Sequence, residues 1–452
     1  MNRNYLIKNA LAINEGQIIR SDVLVLDGLI ADMDGRIELP DDFIQQHDLE
    51  IIDASGKYLL PGVIDDQVHF REPGMEYKAD IASESAAAVA GGVTSYMEMP
   101  NTKPPATTIE LLEQKYSLAA EKSLANFSFY LGGTNDNYDQ LLKFDPANHC
   151  GIKVFLGSST GNLLTDDPEA LQKIFSLPYL IAVHSEDEAT IRKNVEIYRQ
   201  KFGEDVPVEY HPMIRSAEAC YISTKRAVAL AEKNNTRLHI LHLSTAAELG
   251  LLKRNVPLSE KRITTEVCVH HLWFNDTAYK SKGNFVKWNP AIKTEQDRQA
   301  LFDAILDGTI DIVATDHAPH TLEEKQQLYF KAPSGGPLIQ HSLQMMLEFY
   351  FKKQISLEKI VELMCHKPAT CFNVENRGYL RKNYFADLVV ADLQSTTTVG
   401  NDNILYKCKW SPLEGQLFHS EISHTFVNGH LVYDGQQVSD KIKGMRLRFK
   451  SK

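Results

Sequence analysis

Pro61-Gly62-Val63-Ile64-Asp65-Asp66-Gln67-Val68-His69-Phe70-Arg71-Glu72-Pro73-Gly74 is the stretch on which the reading of this 452-residue chain turns. An apolar run from Leu59 to Ile64 passes at once into a polar cluster. Strand side chains alternate with period two, so Gln67, His69 and Arg71 share one face if the segment is extended. A buried strand would then deliver a ligand-type imidazole and a guanidinium to one pocket. That is the pairing a metal-assisted enzyme needs, a histidine to hold a divalent ion and an arginine to clamp a carboxylate bidentately.

Downstream, buried-type strands recur at Val93 to Met99, Phe127 to Leu131, Ile152 to Leu156, Leu180 to Val183, Leu238 to Leu241, Ile263 to Val267 and Ile310 to Ala314. Helical stretches alternate with them, at Ala79 to Ala90, Ile109 to Ala125, Ser216 to Lys233 and Thr294 to Leu306. Strand and helix in alternation imply a parallel sheet, and eight such units close most naturally into a (β/α)8 TIM-type barrel. Further helices are expected at Leu343 to Phe351 and Leu357 to Cys365, the second ending near Pro368. The flanks read differently. Tyr5 to Ala12, Val23 to Leu26 and Leu29 to Met33 are short β-runs broken by Asn14-Glu15-Gly16 and Asp27-Gly28. Short strands return at Leu388 to Ala391, His424 to Val427 and His430 to Tyr433, with Asn428-Gly429 marking a two-residue hairpin. The expected organisation is an N-terminal β-segment over 1–58, a barrel over 59–370 and a C-terminal β-segment over 371–452.

Barrel enzymes build their sites at the carboxyl ends of the strands. At those ends stand Gln67, His69 and Arg71, then Asn101, Lys153, His184, His242 and Asp316. Each alone has an ordinary structural explanation; their convergence on one predicted mouth does not. Nitrogen and carboxylate ligands without cysteine suit zinc. A lysine in such company makes sense if burial neutralises it, because a neutral amine takes up CO2 to give a carbamate, an anionic ligand able to bridge two metals about 3.5–4 Å apart.

Composition excludes other classes. A net charge of −11, with no long Lys/Arg block, argues against nucleic acid or an anionic membrane as partner. No run of about 18 apolar residues and no leader pattern is present, so a cytoplasmic protein is expected. The six cysteines are scattered without a CxxC spacing and are expected to be reduced. The partner is expected to be a small molecule carrying a carboxylate; assembly as a homo-oligomer is left open.

The sequence resembles the dihydroorotases of the cyclic amidohydrolase superfamily from Leu59 to about Asp392. The resemblance lies in Asp65 to Gly74, Met99-Pro100-Asn101-Thr102, Gly151 to Phe155, Leu241-His242-Leu243-Ser244-Thr245, Asn289-Pro290 and Ala314-Thr315-Asp316-His317-Ala318-Pro319-His320. It implies zinc-dependent, reversible cyclisation of N-carbamoyl-L-aspartate to L-dihydroorotate in pyrimidine synthesis. It also implies a small composite β-sandwich built from the two terminal segments. By the same likeness His69, His184 and His242 are metal ligands, Lys153 the carboxylated lysine and Asp316 the metal-binding acid/base. Arg71, Asn101 and His320 match substrate contacts, with Asn289 a further candidate.

One position departs from the pattern. The first histidine of the family's strand-one His-x-His motif is replaced by Gln67, a poorer zinc ligand. Either one zinc sits firmly on Lys153, His184 and His242, or Gln67 and His69 tolerate a second, looser ion. The alternatives are another cyclic amidase (a hydantoinase, dihydropyrimidinase or allantoinase) and an inactive scaffold related to dihydroorotases. The stretch Thr321 to Gly336 is expected to be a loop able to cover the site, and His270, His271 and His317 to play supporting parts.

Overall fold

The computed structural model describes residues 4–157, 163–254 and 256–450. The N-terminal segment forms β1 (Asn4–Asn14), β2 (Gln17–Leu26), β3 (Leu29–Asp34), β4 (Leu49–Asp53) and β5 (Tyr58–Pro61). The turn between β2 and β3 holds Asp27 and Gly28 at φ 50° and 85°, the two left-handed positions that a tight hairpin demands.

Gly62 then ends one structure and starts another. The apolar run read as a single strand is two: β5 pairs with β1, whereas β6 (Val63–Val68) pairs with β7 (Val93–Glu98) in the barrel. Hydrophobicity continues through the break, which is why the sequence pattern passes over it. The break requires glycine, because a Cβ at position 62 would stand 2.0 Å from Thr94 Oγ1.

Beyond β7 the barrel continues through β8 (Asn126–Phe129), β9 (Leu131–Gly133), β10 (Ile152–Phe155), β11 (Leu180–His184), β12 (Arg237–Ile240), β13 (Ile263–Cys268) and β14 (Ile312–Ala314). All neighbours run parallel. The single strand expected at Phe127 to Leu131 is interrupted at Tyr130, so that β8 pairs back with β7 and β9 forward with β10. Taken as one stave, β8 and β9 complete the eightfold α/β barrel expected from the rhythm. Closure is made by β14 and β6, through a parallel bridge between Val68 and His317 and a His69 N–H donated to His317 O at 2.7 Å. The surrounding helices start on side-chain caps, Asp80, Ser216 and Thr294 each accepting from a backbone N–H of the first turn. The helix expected to stop near Pro368 runs on. A π-turn over Glu362–His366 leads into a helix at Lys367–Phe372, and Pro368 lies in its first turn, where its missing N–H costs nothing.

The C-terminal segment adds β15 (Leu388–Asp392), β16 (Thr397–Thr398), β17 (Leu417–Phe418), β18 (Glu421–Val427) and β19 (His430–Tyr433). β15 pairs with β5, so strands from both ends of the chain join one eight-stranded sheet in the order β19-β18-β15-β5-β1-β2-β3, with β4 on β1. Its core includes Tyr5, Ile7, Val23, Val25, Leu59, Leu388 and Phe426. The β2–β3 and β18–β19 turns pack back to back, a Cβ on Gly429 falling 2.4 Å from Gly28 Cα.

The junction at Gly62 yields a direct test. Gly62→Ala must displace Thr94 and is expected to lower the unfolding free energy by about 1–3 kcal/mol, the usual range for overpacking. Urea denaturation should show a reduced midpoint with an unchanged slope.

Candidate active site

Register in the barrel decides what faces what. Lys153 pairs with Ala182 and Phe155 with His184, which sets the lysine of β10 beside the end of β11. His242 follows β12 by two residues and Asp316 follows β14 by two. A cavity of about 40 Å3 lies at these strand ends. Its walls include Gln67, His69, Arg71, Lys153, His184, His242, Asn289 and Asp316 among the residues singled out in the sequence, together with Phe155, Trp288, Ala318, Ser334 and Gly335.

His184 Nδ1 and His242 Nε2 stand 3.0 Å apart. Two nitrogens bound to one tetrahedral zinc at about 2.0–2.1 Å would be separated by roughly 3.3 Å, so the pair already has nearly the span of co-ligands. Behind it, His184 Nε2 lies 3.0 Å from Glu186 Oε2, and Arg215 completes the chain by bonding that same carboxylate. A carboxylate on the far nitrogen is the usual means of orienting a metal-binding imidazole. Burial works to raise the Glu186 pKa, but Arg215 and His184 overcome it and hold the carboxyl well below its ordinary range.

Lys153 Nζ has no hydrogen-bond partner, is buried, and sits 4.6 Å over the Phe155 ring. Burial lowers its pKa to about 7, against the pull of Glu266 and Asp316. An amine in this condition is neutral for much of its time near pH 7 and open to reaction with CO2. The unpartnered Lys153 Nζ and the close His184–His242 pair fit a cation site completed by a modified lysine.

Across the cavity, Asp316 Oδ1 lies 3.2 Å from His69 Nε2 and accepts from Gln67 Nε2 at 3.3 Å. Asn101 does not line the cavity. Its Oδ1 lies 2.8 Å from His69 Nδ1, which places it as an orienter of that ring. Asn289 does line the cavity, with its Oδ1 buried and unbonded.

Arg71 is buried, and burial lowers its pKa to about 10, leaving it cationic at neutral pH. Its Nε donates to Pro319 O at 3.0 Å and its Nη2 lies 3.0 Å from His320 Nε2. His320 Nδ1 faces Lys78 Nζ, while its Nε2 also faces Ser334 O, both at 3.0 Å. A lysine ammonium can only donate and a carbonyl can only accept. The one proton of the neutral ring therefore belongs on Nε2, directed at Ser334 O, and Arg71 Nη2 keeps its N–H groups for another acceptor. His320 thus shapes the cationic wall from behind and, like Asn101, does not line the cavity.

Three of these residues, Arg71, His242 and Asp316, hold left-handed backbone, with φ of 70°, 40° and 47°. Such conformations are strained for residues with a Cβ and persist only where the surroundings enforce them. His242 N–H donates to Glu266 Oε1 at 3.1 Å; Thr315, next to Asp316, donates its hydroxyl to Asp65 Oδ2 at 2.6 Å. His317 pairs with Glu84 at 2.8 Å and accepts from the Leu338 N–H, a structural role. His270 stacks on Trp288 with centroids 4.4 Å apart, and His271 Nε2 meets Pro290 O. The stretch Thr321 to Gly336 reaches the cavity through Ser334 and Gly335 and contains a helical turn at Leu322–Lys325.

Glu186, Arg215 and Glu266 were not singled out in the sequence. Glu186 carries a usable signal, standing two residues beyond His184 in His184-Ser185-Glu186-Asp187. Arg215 carries none, because it arrives from a different loop. Among the described residues, two further groups have ligand atoms close enough for a metal ion: Cys268 with His270 and His271, and Asp66 with His239 and Glu266. No helix among the described residues is long and apolar enough to cross a membrane.

Residues 58–432 match the model of the amidohydrolase family. A dihydroorotase of Halobacterium salinarum is 32% identical over 428 residues, covering 94% of this chain and 98% of its own length. One of Listeria welshimeri is 33% identical over 433 residues, covering 95% and 98%. Among solved structures, the L-hydantoinase (dihydropyrimidinase) of Arthrobacter aurescens superimposes with a TM-score of 0.90 at 25% identity, covering 99% of this chain and all of its own. The dihydropyrimidinase of Brevibacillus agri, at 23% identity and a TM-score of 0.85 over 96% of both chains, shares the fold.

The buried Glu186–Arg215 pair should reveal itself through pH. Glu186 has a depressed folded pKa, so the stability it supplies is complete above its unfolded value of about 4.3 and is lost as pH falls toward the folded value. Arg215→Leu leaves that carboxylate without its main partner and is expected to cost about 3–5 kcal/mol at pH 7. The difference from wild type should narrow below about pH 4, as measured by urea denaturation across the pH range.

Proposed function

The chain belongs to the amidohydrolase family, and from that premise we propose that it is a dihydroorotase, catalysing the reversible cyclisation of N-carbamoyl-L-aspartate to L-dihydroorotate. The observation that carries this choice is Arg71, a buried guanidinium on the cavity wall whose Nη2 is left uncommitted by the proton on His320. Among the described residues it makes no ion pair. A buried cation of that kind calls for an anionic ligand, and the ring carboxylate of dihydroorotate supplies one. Hydantoin and allantoin carry no such group. The curated relatives named dihydroorotase agree in name with this reading.

A zinc ion held by Lys153, as its carbamate, with His184 and His242 would act as a Lewis acid, polarising the ring carbonyl and lowering the pKa of water. In the hydrolytic direction Asp316 takes the proton from the attacking water and delivers it to the departing ring nitrogen; in synthesis the same carboxyl runs the transfer backward. Gln67 and His69 hold Asp316 in place, and Arg71 fixes the carboxylate so that the reacting carbonyl lies toward the His184–His242 side. Orientation of this kind can lower the barrier by several kcal/mol. Trp288, Ser334 and Gly335 contribute to the cavity wall.

Purified protein should hydrolyse dihydroorotate in preference to hydantoin and allantoin. Asp316→Asn is expected to reduce kcat by about 10²–10⁴-fold, the usual worth of a general acid/base. Arg71→Met should reduce kcat/KM for dihydroorotate sharply without creating hydantoin turnover. Faster hydrolysis of hydantoin than of dihydroorotate would replace this reading with that of a hydantoinase, and absence of turnover with every ring amide in the presence of zinc and bicarbonate would point to the scaffold.

A further inference from the structure

Gln67 occupies the position where a His-x-His pair would supply a second imidazole, and its amide is turned in a telling direction. Nε2 donates to Asp316 Oδ1 at 3.3 Å, while Oε1 lies 3.7 Å from Cys268 Sγ, a thiol that also lies 3.9 Å from Glu266 Oε1. The assignment of oxygen and nitrogen follows from the partners, since a carboxylate accepts and a thiol is the only donor on the other side. We propose, resting on the reading of this cavity as a cation site, that Gln67 confines it to a single divalent ion on the Lys153, His184 and His242 side and serves instead as a positioning residue for Asp316.

The geometry on both sides of the cavity supports this. The one atom of Gln67 able to ligate a cation, Oε1, faces the buried Cys268 of β13. The amide N–H groups carry partial positive charge into the space between β6 and Asp316, where a second ion would have to sit. His69 Nε2 lies 3.2 Å from Asp316 Oδ1, and its Nδ1 lies 2.8 Å from Asn101 Oδ1. On the opposite side, His184 and His242 keep the spacing of co-ligands, and Glu186 fixes the former ring. The strand-one half of the site thus spends its amide on Asp316, while the other half keeps the spacing of metal ligands.

Metal content and cobalt spectroscopy test this without recourse to turnover. Wild-type protein stripped of metal and titrated with Co2+ is expected to saturate at about one equivalent per chain, as a three-ligand catalytic site would, with the paramagnetic resonance of an isolated ion. His69→Ala should keep that equivalent and His242→Ala should lose it. Gln67→His, which restores the missing imidazole, should move the stoichiometry toward about two and weaken the isolated-ion signal through coupling between neighbouring ions. Gln67→Leu should retain a single equivalent, which separates metal count from folding should the histidine variant be unstable. Two tight equivalents in the wild type, or loss of the ion in His69→Ala with retention in His242→Ala, would overturn the assignment of Gln67 while leaving a metal-holding site. No tight Co2+ in any form would overturn the cation-site reading itself and this inference with it.

Discussion

The joint between the first and last barrel strands is the constraint on which the site rests. Asp65 on β6 takes both the hydroxyl and the N–H of Thr315, and the His69 N–H is donated to His317 O. Asp65 is fully buried, and burial pushes its pKa up to about 7 against the hydrogen bonds from Thr315. That cost is accepted at the seam where the parallel sheet meets itself, and strain follows there. Arg71 and Asp316, one from each side of the seam, adopt left-handed backbone. Without closure His69 and Asp316 would not meet, and neither the Asp316 carboxyl nor the Arg71 guanidinium would line the same cavity as the nitrogens from β11 and β12.

Beneath the mouth lies a layer of buried carboxylates, each bonded to backbone or to a base that shapes the site. Glu98 accepts the Phe70 N–H between His69 and Arg71 and is itself paired with Lys115 at 2.9 Å. Glu266 holds the His242 backbone, and Glu186 the His184 ring. Asp66 and Glu266 flank His239 at 3.1 and 3.3 Å; burial opposes charge on that ring, but Asp66, Cys371 and Glu266 together prevail and raise its pKa well above the ordinary value. An interior with this many charges is not arranged for stability alone, since apolar packing is often as stable as a buried ion pair. Its effect is to fix side chains that a merely apolar interior would leave free to turn.

The features legible in the sequence were those with a short-range cause. Lys153, His184, His242 and Asp316 could be read because strands alternate with helices and a barrel mouth gathers strand ends, so that position along the chain implied position in space. The hairpins at Asp27-Gly28 and Asn428-Gly429 could be read because left-handed backbone selects those residue types. What stayed hidden depended on contacts between distant segments. The break at Gly62 lies inside an unbroken apolar run and is imposed by Thr94. The π-turn before Pro368 depends on packing, not on composition. The retreat of Asn101 and His320 behind the cavity surface follows from partners, His69 for one and Lys78 with Ser334 for the other, that no local pattern announces.

Charge across the cavity is divided by side. Arg71, Lys78 and Lys325 gather near the loop after β14, where Lys325 Nζ donates to Pro333 O and Gly335 O and Lys287 Nζ to Tyr329 O and Ala332 O. These two lysines are buried, and burial lowers both their pKa values, Lys287 to about 7. They spend their donors on loop carbonyls, which ties the wall carrying Ser334 and Gly335 to the barrel. Glu186 lies on the other side, with its Oε2 3.0 Å from His184 Nε2. In a water-poor space such a division acts over several ångströms with little screening. A small molecule with an anionic end and a polarisable carbonyl would therefore be oriented before any close contact formed, its carboxylate drawn to the arginine wall and its carbonyl toward the nitrogens. Orientation by field and orientation by contact point the same way here, and this agreement follows from which strand ends carry bases and which wall carries Arg71.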